Sequence, residues 1–294
     1  MSSVLVYVLK QRNWNKHPPR TLVTPRYPHP MFASKDPQSV SERPQPASEA
    51  RVALVTGASR GLGAAIATSL AEAGHKVAVN YFANAARAQQ LCDQLVSRGL
   101  RAYPFHADVR DHNEVVGLVR EIESTLGPID IAVLNATGHQ PMLSIEQQTW
   151  QSYLDQMEFF VKSPLLIVQQ VLPGMRQRGF GRIIQIGSEV VELGNPKFAN
   201  YVAAKAAQLG QTRSWARELG SSGITVNLVA PGWIPTERSV DATAAEKQAY
   251  TDRVPMQRMG VPQEVGQAVA FLASDAASFI TGQKIAVNGG NTLE

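Results

Sequence analysis

Arg51-Val-Ala-Leu-Val-Thr56, followed by Gly57-Ala-Ser-Arg-Gly61-Leu-Gly63, is the stretch on which the fold turns. The first six residues form a short β-rich apolar run. Ala64 to Ala73 then reads as a helix, which Gly74 stops. In a strand–turn–helix unit, glycines let the backbone approach a pyrophosphate, and the first N–H groups of the helix face it without helical partners. Working outward, apolar β-rich runs alternate with helical stretches. Strands are expected near 52–56, 77–81, 101–106, 130–134, 182–187, 224–229 and 284–287. Helices are expected near 61–73, 84–98, 112–126, 146–178 (with a break), 199–220 and 262–274. This alternation predicts an α/β fold, a doubly wound parallel sheet of about seven strands with helices on both faces.

Such a single Rossmann-type sheet binds ligands beyond the carboxyl ends of its strands. Thr56–Gly63, Asp108, Asn135–Gly138, Ser188 and Pro231–Thr236 all follow expected strand ends. Any one of these loops suits a structural role alone, but five converging segments predict one site. Asp111-x-x-Glu114 reads as a capping-box start, and Pro262 as a first-turn proline.

Tyr201 and Lys205 stand four residues apart, and Ser188 lies thirteen upstream. Four residues is a little over one helical turn, so phenol and ammonium share a helix face. A nearby cation favours the phenolate over its reference pKa of ~10. A serine hydroxyl can hold a carbonyl oxygen while the tyrosine gives or takes its proton. Taken alone, Y-x-x-x-K reads as a surface pair on an amphipathic helix; the glycine turn upstream gives it weight.

With G-x-x-x-G-x-G in place, and Asp108-Val109, Pro231-Gly232 and Val287-Asn288-Gly289-Gly290 further on, the chain from Arg51 to Glu294 resembles the short-chain dehydrogenase/reductase family. Its look is nearest to the 3-oxoacyl-acyl-carrier-protein reductases. The resemblance implies an NADP(H)-dependent ketoreductase in which Ser188 holds the carbonyl oxygen and Tyr201 protonates it. Lys205 would tune the tyrosine and bind the nicotinamide ribose. It further implies a cofactor site made of Gly57, Ser59, Arg60, Gly61, Leu62, Gly63, Asp108, Val109, Asn135, Gly138, Tyr201, Lys205, Pro231, Gly232, Ile234 and Thr236. Asp108 would meet the adenine and Thr236 the nicotinamide carboxamide, although Asp108 also suits a turn and Thr236 a helix cap.

Charge separates the two nicotinamide cofactors. The second strand, Lys76 to Phe82, carries no acid to bind ribose hydroxyls, and Arg60 sits inside the glycine turn. Missing repulsion plus one cation favours the 2′-phosphate of NADP(H), the alternative being that Arg60 only solvates the turn. Two departures from the family stand out. Asn135-Ala-Thr-Gly138 replaces the usual N-N-A-G. In the slot of an active-site asparagine, one alignment puts Phe160 and another Met157. Neither side chain replaces an amide; the family's relay is implied to run through that residue's backbone carbonyl and a water, so a phenylalanine would weaken or reroute activity rather than exclude it. A reading of a different class therefore stands beside the enzyme: a catalytically weak nucleotide-binding interaction or sensor protein.

Substrate contacts are expected from His139–Gln148, Glu189–Phe198 and a lid over about 233–254. Trp233, Ile234 and Leu193 give either an apolar pocket wall or ordinary lid packing. Glu189 either disfavours acidic substrates or points to solvent. The expected substrate is a small carbonyl or alcohol, either acyl-carrier-bound or a free ketone. Arg176, Arg178 and Arg182 form either a carrier-docking patch or a solvated helix end. The family implies a homotetramer or homodimer.

Of the 294 residues, 44% are hydrophobic, enough for one sizeable core. No run of about 18 apolar residues suggests a membrane span. Cys92 is the only cysteine, which excludes an intrachain disulfide and fits a reducing compartment. The six histidines show no metal-ligand spacing, and His139 reads as a loop residue. Net charge is +4, and all of it resides in residues 1–50, where seven basic residues face three acidic ones. No nucleic-acid groove is indicated. Residues 1–50, rich in Pro and Arg, read as a disordered extension to the 51–294 domain. An organelle transit peptide and a start at Met31 are the alternatives, and the expected compartment is cytoplasmic.

Overall fold

A computed structural model of the chain describes residues 50–237 and 241–293. The readings of the first 49 residues lie outside this range. The described residues belong to one compact unit, Pro46–Glu294. Seven strands are present: β1 (Val52–Val55), β2 (Lys76–Tyr81), β3 (Arg101–His106), β4 (Ile129–Leu134), β5 (Gly181–Ile186), β6 (Ile224–Pro231) and β7 (Lys284–Val287). They form a single sheet in the order β3-β2-β1-β4-β5-β6-β7, and every pairing is parallel. The order reverses between β1 and β4, which opens a crevice at their carboxyl ends.

The helices are α1 (Gly61–Glu72), α2 (Ala85–Ser97), α3 (His112–Leu126), α4 (Trp150–Met157), α5 (Ser163–Arg178), α6 (Val190–Leu193), α7 (Ala199–Leu219), α8 (Ala244–Thr251) and α9 (Pro262–Ala273). Alternation along β1 sorts them into layers. Ala53 and Val55 face a core shared with Ile66 of α1, Leu95 of α2 and Val269 of α9. Val52 and Leu54 face a second core with Ile122 of α3, Val171 of α5 and Leu219 of α7. Burying a Val or Leu completely is worth ~1.5–3 kcal/mol, and β1 is buried on both faces along its length.

The expected elements are present, and two details differ. The long segment expected over 146–178 begins at Trp150 and divides at a π-turn, Glu158–Lys162, before α5. The short helices α6 and α8 were not anticipated. The capping box at α3 is half formed. The Asp111 carboxylate accepts the N–H groups of Asn113 and Glu114, while the Glu114 carboxylate accepts the N–H of Asp108 at 2.7 Å.

Candidate active site

The turn after β1 is tied to the turn after β4. Thr56 Oγ1 accepts the N–H groups of Asn135 and Ala136 at 2.9 and 3.0 Å. Asn135 Nδ2 donates back to the carbonyls of Thr56 and Gly57 at 2.9 and 3.2 Å. Asn80, at the end of β2 and 2% exposed, accepts the Gly57 N–H and donates to the Ala107 carbonyl. Sequence reasoning missed Asn80; a polar residue inside an otherwise apolar strand was the available signal. Glycine is required twice here. Gly57 has φ +62, and a Cβ on Gly63 would stand 2.4 Å from the Gly57 carbonyl oxygen. The compressed turn presents the start of α1 to the crevice. No acidic residue lies in the first helical turn, and Arg60 occupies the N-cap without a side-chain cap bond.

At the far end, Asp108 has a partner that the sequence reading did not name. The Arg110 guanidinium grips its carboxylate, with Nε at 2.9 and 3.2 Å and Nη2 at 2.6 Å from the two oxygens. These bonds hold the Asp108 carboxyl below the usual carboxylate range. The same guanidinium lies 4.9 Å from the Phe159 ring centroid and 5.9 Å from that of Phe82. The acid at the end of β3 is therefore neutralised, and two aromatic rings flank its cation.

Ser188 follows β5, and its Oγ accepts the Val190 N–H at 3.3 Å. Tyr201 and Lys205, one turn apart on α7, are 8% and 4% exposed. The Tyr201 ring sits between Phe198, at 4.9 Å, and Phe160, met edge-on at 5.4 Å. Lys205 Nζ donates to the Ile186 carbonyl at 2.6 Å and to Gln208 Oε1 at 3.2 Å. It also lies 3.7 Å from the Phe160 ring centroid and 5.7 Å from that of Tyr201. Of the two residues proposed for the asparagine slot, Phe160 is the one placed against both Tyr201 and Lys205. Met157 closes α4 at the margin of the same cluster.

Glu189 neither points to solvent nor stands bare beside the site. It is 4% exposed and accepts the Tyr250 hydroxyl at 2.8 Å and Asn291 Nδ2 at 3.0 Å. The Tyr250 hydroxyl in turn accepts the Trp233 N–H at 2.8 Å. Burial, reinforced by the Glu189 carboxylate, pushes the Tyr250 phenol far above its ordinary range. The residue after Ser188 is therefore bonded to α8, which lies in the expected lid.

These parts line one cleft of about 960 Å³. Its wall includes Gly57, Ser59, Arg60, Gly61, Leu62, Gly63, Asp108, Val109, Asn135, Gly138, Ser188, Tyr201, Lys205, Gly232, Ile234 and Thr236. Pro231 is the exception among the expected site residues. It is buried at the end of β6, its carbonyl accepts the Glu189 N–H, and it does not line the cleft. The expected arginine patch loses Arg182. Arg176 pairs with Glu218 and Arg178 with Asp130, while Arg182 is 3% exposed beneath the Phe180 ring. His139 is a loop residue whose carbonyl accepts Gln156 Nε2. Cys92 is buried, and burial raises its thiol to about 11. Among the described residues no cluster could hold a metal ion, and no helix is long and apolar enough to cross a membrane. A compressed glycine turn, an uncapped helix start, a cation beside it and a long cleft ending at Tyr201 fit a dinucleotide.

Comparison with known proteins agrees with this geometry. Residues 57–292 match the family model described as Enoyl-(Acyl carrier protein) reductase. The chain is 42% identical over 241 residues to the 3-oxoacyl-acyl-carrier-protein reductase FabG of Staphylococcus aureus (strain Mu50), covering 81% of this chain and 96% of that protein. Nodulation protein G of Azospirillum brasilense is 40% identical over 242 residues, covering 82% and 97%. Among solved structures, a gluconate 5-dehydrogenase from Burkholderia cenocepacia J2315, in complex with NADP and tartrate, superposes with a TM-score of 0.77 at 34% identity. That match covers 83% of this chain and 96% of the other. With a family model spanning most of the chain and relatives matched over nearly their whole length, the protein belongs to the short-chain dehydrogenase/reductase family.

Proposed function

We propose that the protein is an NADP(H)-dependent ketoreductase that converts a 3-oxoacyl thioester, or a related ketone, to the secondary alcohol. The observation that carries this reading is that Ser188, Tyr201 and Lys205 line the same cleft as the glycine turn. The glycine turn and the start of α1 would hold the pyrophosphate. Arg60 would meet the 2′-phosphate; Asp108, neutralised by Arg110, adds little repulsion there. Lys205 would hold the nicotinamide ribose and Thr236 the carboxamide. NADPH, when bound, supplies a hydride to the carbonyl carbon. Ser188 orients the carbonyl oxygen, Tyr201 gives it a proton as negative charge develops, and the Lys205 cation steadies the phenolate left behind.

The cleft wall includes Met142, Val190, Leu193, Phe198 and Trp233, of which Val190 and Phe198 pack in the Tyr201 cluster. These side chains support an acyl chain as substrate, in line with the name of the Staphylococcus relative. The bond from Glu189 to the lid supports a structural role for that acid rather than selection against acidic substrates. Trp150, Leu154 and Leu165, exposed on α4 and α5, support assembly into a homo-oligomer, and an acidic acyl carrier is the proposed macromolecular partner. NADPH oxidation measured against a panel of ketones and acetoacetyl thioesters tests the function. Tyr201→Phe should lower kcat about 10²–10⁴-fold. Tight NADPH binding with no ketone turned over would replace this reading with a nucleotide-binding interaction protein.

A further inference from the structure

A lysine ammonium that is almost fully buried must be compensated on every side it presents to the protein. Around Lys205 Nζ, β5 supplies the Ile186 carbonyl and α7 supplies Gln208 Oε1. A third side is covered by an aromatic face, since the Phe160 centroid lies 3.7 Å away, well inside the ~6 Å range of cation–π attraction. The surroundings fix this face. Phe160 is 2% exposed and belongs to the π-turn Glu158–Lys162. Gln211 of α7 donates to the Val161 carbonyl of that turn at 3.1 Å. Thr212 Oγ1 donates to the Gln208 backbone carbonyl at 3.0 Å, one turn back along α7. The same ring meets Tyr201 edge-on, so one side chain touches both members of the proton-transfer pair.

We propose that Phe160 is a positioning residue: its π face seats the Lys205 ammonium as a fixed, dry positive charge beside Tyr201. The other charged groups on elements packed against α7 are engaged elsewhere. Glu158 pairs with Lys162, and Glu192 with Lys284. Glu189 holds Tyr250 and Asn291, and Asp155 accepts Gln151. Among the described residues the Lys205 ammonium lies 5.7 Å from the Tyr201 ring centroid, and Phe160 decides where it stands. This inference rests on the reading of Tyr201 as the proton donor, but its test requires neither cofactor nor substrate.

Ultraviolet difference titration of the cofactor-free protein against its Tyr201→Phe variant isolates the ionisation of that one phenol. The titration is repeated with Phe160→Leu, which keeps apolar bulk without a π face. It is then repeated with a trifluorinated phenylalanine at position 160, which keeps the shape but withdraws the ring's negative face. Both changes should raise the Tyr201 midpoint by about one pH unit, a tenfold weaker ionisation. If the leucine protein does not fold, Phe160→Met takes its place. A shift in the leucine protein without one in the fluorinated protein would mean packing rather than cation–π attraction, and would overturn the proposal. So would unchanged midpoints in both. Ketone turnover that fails while these shifts appear counts against the proposed reaction and leaves the Phe160 assignment standing.

Discussion

The Tyr250 hydroxyl is a single group that ties α8 to the turn after β5 and to Trp233. It donates to Glu189 and accepts from the Trp233 N–H, so Tyr250→Phe leaves a buried carboxylate and a backbone donor each short of a partner. Groups stranded this way cost ~1–3 kcal/mol, and the loss should appear as a lower urea midpoint. The KM for a ketone probe should rise with it, because Trp233 lines the cleft. A midpoint equal to that of the parent protein would show that the bond contributes nothing. Burial, and then the Glu189 bond, raises the phenol's pKa, so the stability linked to the protonated phenol is present below the ordinary tyrosine value of ~10 and declines as pH rises beyond it. None of this was legible in the sequence. Glu189 and Tyr250 are separated by sixty-one positions, and an acid next to Ser188 invites a functional reading until its partner is seen.

At the scale of elements, the start of α9 depends on one carboxylate. Glu264 accepts the Val261 N–H at 2.9 Å and two Arg258 nitrogens at 2.5 and 3.0 Å. The Arg258 bonds, followed by the backbone one, lower its pKa to about 2. The linked stability is therefore present above the unfolded value of ~4.3 and lost as pH falls toward about 2. Both side chains are solvated, so Glu264→Gln should cost only ~0.5–1 kcal/mol at pH 7. Urea denaturation at pH 7 and pH 3 should show the variant's deficit shrinking in acid; a deficit that grows in acid would refute the pairing. Pro262 marked this helix start in the sequence, but the Arg258–Glu264 clamp did not show there. The break between α4 and α5 was legible only as a break. The π-turn that makes it turns Phe159 toward the cleft and buries Phe160 against Tyr201, a splaying of adjacent residues that a regular helical period does not encode.

For the molecule as a whole, the cleft joins the turns after β1 and β4 with the segment carrying α8, and a ligand bound there would stabilise the fold. NADPH at one hundred times its Kd should add ~2.7 kcal/mol, raising Tm by about 5–10 °C for a domain of this size. NADH at the same concentration should raise it measurably less, because Arg60 would have no phosphate to meet; equal shifts would remove the argument from charge. By itself the sequence determined the α/β alternation, the glycine turn after β1, and the placing of Ser188, Tyr201 and Lys205 after strand ends or on one helix face. These are local signals, carried by periodicity and by spacings within a turn or two. Only the tertiary structure decided that Asn135 braces Thr56, that Arg110 takes Asp108, that Pro231 stays out of the cleft, and that Phe160 faces Lys205. Each of these depends on a strand order that reverses in mid-sheet and on a π-turn that shifts helical register, so chain spacing alone leaves the partners open.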